Sequence, residues 1–447
     1  MLSDDDSSSP PALREAETAA PTAGIRPLAS PTIDASQTVS GAETTLLEVA
    51  TGRVYSWPVG SEVQNPRFSD DGRWLIYNAG WIPSSGQTPN VASIYRIDLQ
   101  AAQLTPEKLG PGFNPVISAR GDIAYVHDVD GQAANVYVRT ADGSVHQLAI
   151  RGSTFLAPKW APDGSYLVYP GGSNQPTAGV PGGTPVVIAD ADTWTARIID
   201  NGGAGTHGLI IDVSPDGQYI LHGQTRIVSV ATGNVQKVRV APTWIDATHY
   251  LFREYDAPPP LDSVYFSVDV ETGGRRKLFD GSAGHVWNIA LGMTVRTVQK
   301  SIPPDNPSTP GPIDEQYVEV KRFDGSVVIG KLPGEFGTWS PDNRYLTTRG
   351  FGSKCQPTIY DLAGVEVACL NSGGMSWGPP GLVAFLRVTR PAQAGPMVAT
   401  GDVYLLNLVT GAERLLLTGM RWGPAVPCMR WSPDGRWLVA DDYCDTF

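Results

Sequence analysis

One phrase recurs along the chain and constrains what it can fold into. It reads WSPDGRWLVADDYC from Trp431 to Cys444, WAPDGSYLVYPGG from Trp160, VSPDGQYILHG from Val213, WSPDNRYLTTRG from Trp339 and, more loosely, FSDDGRWLIYNAG from Phe68. Self-similarity at a fixed period outranks other fold signals, because each copy is a unit that buries its apolar face only against the next. In every copy a short apolar strand ends on an aromatic or apolar residue, Ser/Ala-Pro-Asp-Gly turns the chain, and an alternating strand leaves. Pro presets φ, Asp accepts hydrogen bonds from amides just ahead, and Gly, or Asn343 in one copy, takes a positive φ. A strand, a polar turn and a strand follow downstream, as in SIYRIDLQAAQL, NVYVRTADGSVHQL and VYLLNLVTGAERLLL. Each unit is thus four short strands joined as two hairpins.

Weaker copies align at ISARGDIAYV (Ile117), WIDATHYLF (Trp244), WNIALGMTV (Trp287) and WGPPGLVAF (Trp377). The first-strand anchors then stand at Phe68, Ile117, Trp160, Val213, Trp244, Trp287, Trp339, Trp377 and Trp431. Their mean spacing is about 45 residues, the period of a four-stranded propeller blade. The expected fold is all-β, a single β-propeller over 44–447. Nine anchors favour nine blades, with eight the alternative because propellers typically have four to eight.

The phrase [W/F/V]-[S/A]-P-D-G-x-[W/Y]-L resembles the PD40 (WD40-like) repeat of TolB-type propellers, from about residue 44 to the end. That resemblance implies a non-enzymatic propeller that binds a protein or peptide. The repeated residues resemble those that hold blades together, and the fold hosts unrelated tasks, so the resemblance specifies scaffold more than task.

The last phrase supplies only two strands. Its missing half is TTLLEVATGRVYSWPVG, residues 44–60, a hairpin with no WSPDG hairpin before it. Pairing hairpin 44–60 with hairpin 428–447 closes the ring and removes two free sheet edges. Strand alternation puts both kinds of tight turn on one face. The opposite face carries the strand 2 to 3 loops and the blade-to-blade crossings, such as PGGSNQPTAGVPGGTP and KSIPPDNPSTPGPID, which are long and unequal. Variable recognition is expected there.

Residues 1–43 are rich in Ser, Thr, Ala and Pro and read as a disordered stalk. Such a stalk is expected to follow a membrane or lipid anchor. The net charge of −12 without a basic run argues against nucleic acid, and no apolar run reaches membrane-spanning length. Cys355 and Cys369 lie symmetrically about the Leu362-Ala363-Gly364 turn, at disulfide distance in a hairpin. Cys428 and Cys444 flank the last WSPDG hairpin and bridge if the tail folds back. Two bridges imply an oxidising, extracytoplasmic setting; four buried thiols in a cytoplasmic protein are the alternative.

No catalytic constellation emerges. GMSWG, Gly374 to Gly378, satisfies G-x-S-x-G, but Ser376 falls inside a first strand with no helix after it and no histidine beyond His285. SPDGRW departs from the sialidase Asp box S-x-D-x-G-x-T-W, since Asp434 and Gly435 are adjacent and the threonine is missing. HDVDG, His127 to Gly131, reads as a turn rather than a metal loop. No metal or cofactor is expected. Binding candidates are His207 and His285, each in a crossing before a first strand, Arg421 and Trp422 in the crossing before the last blade, and Trp81. Together they are expected to line a pocket for a peptide, with a glycan possible, on a monomer. The alternative is a glycan-active enzyme or the accessory propeller of a prolyl-oligopeptidase-like hydrolase.

Overall fold

The structure is a computed structural model. It describes residues 44–441 apart from 58–62, 81–91, 131–132, 154–155, 173–183, 203–210, 224, 239–242, 256–261, 283–284, 302–312, 351–354, 373, 391–398 and 423–427. The expected stalk, 1–43, therefore lies outside the described residues.

The described residues form nine antiparallel sheets in chain order, each built on four strands, with no helix among them. Blade 1 comprises Val63–Phe68, Trp74–Ala79, Ser93–Asp98 and Glu107–Pro111. Blades 2 to 8 open with the first strands Phe113–Ile117, Lys159–Trp160, Ile211–Val213, Thr243–Trp244, His285–Asn288, Glu335–Trp339 and Gly374–Trp377. The ninth blade is made from both ends of the propeller, in the order Val54–Ser56, Thr45–Glu48, Trp437–Asp441, Cys428–Trp431. Nine blades is the count that the anchors favoured, and the ring is closed by the two hairpins expected to close it. Eight of the nine anchors are the last residue of a first strand, and Trp287 precedes Asn288, the last of its own.

The blades are held to one another by apolar side chains from facing sheets. Leu46, Trp437 and Val439 of blade 9 pack with Leu75 and Tyr77 of blade 1, and Leu47 and Leu438 pack with Ala384 and Leu386 of blade 8. Similar clusters join each further neighbouring pair from blade 2 to blade 8. Between blades 1 and 2, Ala92 joins Phe113 in one cluster, and Asn65 Nδ2 donates to Asn114 Oδ1 at 3.1 Å. Trp437 is 1% exposed; burying one such side chain contributes about 2 to 3 kcal/mol. At the seam Thr45, Leu46, Leu47 and Glu48 face Ala440, Val439, Leu438 and Trp437. The nearly buried Glu48 carboxylate is paired with Arg53 at 3.3 Å and with Arg436 at 3.1 Å, so charges from both termini lock the join.

Candidate functional site

The repeated phrase is consumed by its own turn. In the last copy Ser432 Oγ donates to Asp434 Oδ1 at 2.5 Å and accepts from the Trp437 amide at 2.9 Å. The Arg436 amide donates to Asp434 Oδ1 at 3.1 Å, and Gly435 takes φ 68°. Ser69 with Asp71, Ser214 with Asp216 and Ser340 with Asp342 repeat this arrangement, the last with Asn343 at φ 58°. The serine clamp, two bonds on one hydroxyl, is an addition to the roles expected for Pro, Asp and Gly. Bonds from Ser69 and from the Arg73 amide hold the Asp71 carboxyl below its ordinary range; Thr140 and the Ser144 amide do the same for Asp142, and the serines two residues ahead, Ser165 and Ser326, for Asp163 and Asp324.

The two ends of the disc differ as expected. Strands 1 and 2 are separated by four or five residues in every blade, from 69–73 in blade 1 to 432–436 in blade 9. Strands 2 and 3 are separated by as little as 131–132 in blade 2 and by as much as 171–185 in blade 3. Trp81 and His207 lie outside the described residues. His285 is the first residue of a first strand, opposite Arg296, rather than part of the crossing before it. Arg421 and Trp422 also depart from expectation. They end the outer strand Glu413–Trp422 of blade 8, opposite Thr400 and Ala399. Register shifts between Gly401 and Tyr404 absorb the mismatch, and the Gly419 amide bonds Asp402 at 2.9 Å, so pairing runs on past the expected strand end.

The Cys355–Cys369 disulfide is present, with Cα atoms 5.4 Å apart. Cys428 opens the first strand of blade 9 opposite Asp441, while Cys444 lies outside the described residues. Ser376 sits in the first strand of blade 8 opposite Ala384, as expected. In HDVDG the Asp128 carboxylate is held by Tyr137 at 2.7 Å and lies 2.8 Å from His127. No group of three metal-ligating side chains occurs among the described residues.

Two sites were not visible in the sequence. The first is a buried charged cluster between blades 3 and 4. Asp200 ends the outer strand of blade 3, His222 ends the second strand of blade 4, and Arg226 begins the third. Both oxygens of Asp200 accept from Arg226 at 2.6 Å, and Oδ2 lies 2.7 Å from His222 Nδ1. Burial opposes the charge on Asp200, but bonds and charge from His222 and Arg226 prevail and bring its pKa down to about 2. Among the described atoms the Nε2 of His222 is buried without a partner.

The second is an open concavity of about 410 Å³, lined by first strands and strand 1 to 2 turns of blades 9, 1, 2 and 3. Arg67, Lys159 and Arg430 line it with Phe68, Trp160 and Trp431. Each cation directly precedes a ring in sequence, and both end a first strand. Strand alternation sends the two to opposite sides. The rings reach back: Trp160 Nε1 donates to Val116 O of blade 2 at 3.3 Å, and Trp431 covers Gly378 of blade 8. The cations reach forward: Arg430 donates to Pro66 O of blade 1 at 3.3 Å, and Lys159 pairs with Asp212 of blade 4 at 3.1 Å. The sequence signal is the residue before the anchor, which in the remaining six blades is Val116, Asp212, Thr243, Val286, Thr338 or Ser376, none of them a cation.

These observations settle the architecture. The chain is a nine-bladed β-propeller. No family model matches it. An uncharacterized protein of Agrobacterium fabrum (strain C58) is 24% identical to this chain over 255 residues, with 50% of this chain and 78% of that protein covered. A TolB-like structure from Agrobacterium tumefaciens is similar at 21% identity and TM-score 0.29, over 54% of this chain and 88% of that one. TolB proteins thus stand among the structures similar to it, as the repeat's resemblance implied. A eukaryotic initiation factor is similar at 13% identity and TM-score 0.50, over 86% of this chain and 99% of that one. That likeness speaks for the fold alone.

Proposed function

We propose that the propeller is a non-enzymatic, extracytoplasmic scaffold that binds a protein or peptide partner through the face bearing the strand 2 to 3 loops and the crossings. One contrast carries this reading. The strand 1 to 2 turns are all four or five residues long, and in the Ser-x-Asp copies the serine hydroxyl bonds the aspartate within the turn, whereas the connections at the other end range from 131–132 to 171–185. Unequal segments on a rigid frame are the usual seat of specificity. The repeat's resemblance to TolB-type propellers favours a protein partner. The Cys355–Cys369 bridge favours an oxidising compartment. The reading assigns no catalytic residue.

The test is affinity capture from the extracytoplasmic fraction of the native cell. The intact chain is compared with one in which 173–183 and 302–312 are replaced by two-residue turns, and with Arg67→Gln/Lys159→Gln on the tight-turn face. Partner capture is expected to be lost with the shortened loops and kept with the tight-turn variant. The reverse pattern, or labelling of Ser376 by a serine-hydrolase probe, would overturn the reading.

A further inference from the structure

We propose that the concavity at the tight-turn end of blades 9, 1, 2 and 3 binds an acidic saccharide, a uronate-type sugar of one or two rings, with its carboxylate at Arg67 and Arg430 and its ring face along Phe68, Trp160 and Trp431.

Charge is the first argument. The chain is acidic overall, at −12, yet among the described residues the cavity wall carries Arg67, Lys159 and Arg430 against the carboxylate of Asp70, with Lys159 also paired with Asp212 of blade 4. A cleft lined by one sign of charge concentrates ligands of the other sign. The charge is also local: of the nine blades, only 9, 1 and 3 place Arg or Lys before the anchor, and all three border this cavity. Arg430 bonds the Pro66 carbonyl of blade 1, and Arg67, the residue after it, lines the same cavity. Guanidinium groups match carboxylates with two parallel N–H donors.

The form of the wall selects the rest of the ligand. Cations and aromatic rings project from opposite sides of their strands but line one cavity, which offers charge and apolar surface together. A sugar acid has both parts, a carboxylate and a ring with a C–H face. The volume of about 410 Å³ lies at the small end of ligand pockets and suits a mono- or disaccharide. An extended peptide would be expected to add as a strand to the free edge of a first strand. Here prolines interrupt that edge: Pro66 and Pro158 lie directly before the cations, and Pro162 and Pro433 follow in the turns. Proline has no N–H to donate to an added strand.

The experiment is isothermal titration calorimetry on the full chain, with digalacturonate as probe, lactose as the neutral control and tri-aspartate as the peptide control. Digalacturonate is expected to bind, more weakly as salt rises, with lactose at least roughly tenfold weaker. Arg430→Gln and Arg67→Gln are each expected to weaken binding about tenfold, the scale of one charged hydrogen bond. Asp70→Asn is expected to tighten it, which guards against a loss caused by misfolding. No binding of digalacturonate at millimolar concentration, equal binding of lactose, tighter binding of tri-aspartate, or indifference to all three substitutions would each overturn the proposal. The cavity substitutions are read separately from the shortened-loop variant, so failure of this proposal leaves the loop-face reading standing.

Discussion

Asp200 is 5% exposed and carries its charge between two blades. Its pKa is about 2 in the fold and near 3.8 in the open chain, so the folded state holds the carboxylate more firmly than the unfolded state does. The stabilisation, on the order of 2 kcal/mol, is fully present above the unfolded value and is lost as pH falls through the folded one. Asp200→Asn is therefore expected to lower the urea midpoint at pH 7 and to flatten the decline in stability between about pH 4 and pH 2. An unchanged acid limb would show that the Arg226 and His222 contacts add nothing. None of this was legible beforehand, because Asp200, His222 and Arg226 meet only across the boundary of two units and match no motif. The turn residues were legible, since their bonds run to amides two residues ahead.

At the scale of strands and turns, local pattern carried most of the information. The Cys355–Cys369 bridge was legible from symmetry about the Leu362-Ala363-Gly364 turn, but the register was not: Cys369 faces Thr358, and Cys355 reaches it from before the strand Thr358–Asp361. The end of the blade 8 outer strand did not follow, since the register shifts near Gly401 that extend pairing to Arg421 and Trp422 leave no simple alternation to read. The cation-ring pairs were in plain view at Arg67, Lys159 and Arg430. They became a site only when the ring brought blades 9, 1, 2 and 3 side by side. Packing across one boundary also makes a sharp prediction. A Cβ on Gly378 would lie 2.7 Å from two ring carbons of Trp431. Gly378→Ala is expected to cost about 1 to 3 kcal/mol in urea unfolding, as overpacking of a filled interface does. A midpoint equal to that of the parent would mean that the Trp431 ring moves freely and does not hold blades 8 and 9 together.

For the whole molecule, the count of nine and the closure came from the repeat, because each anchor ends or nearly ends a first strand and the unpaired hairpins at the two ends complete each other. The unequal connections were legible as sequence, but their conformations and those of Trp81 and His207 were not, because no repeat constrains them. The ring is closed by non-covalent pairing of Thr45–Glu48 with Trp437–Asp441, backed by the Leu46, Trp437 and Tyr77 cluster and by Glu48 with Arg53 and Arg436. Strands locked in this way open only with the structure that holds them. Amide hydrogen exchange at Leu46, Leu47, Leu438 and Val439, followed by mass spectrometry, tests this closure most directly. A closed seam is expected to give protection equal to that of Ala384 to Leu386 in blade 8; free exchange at residues 45–48 while blade 8 stays protected would show that the two hairpins do not hold the ring shut.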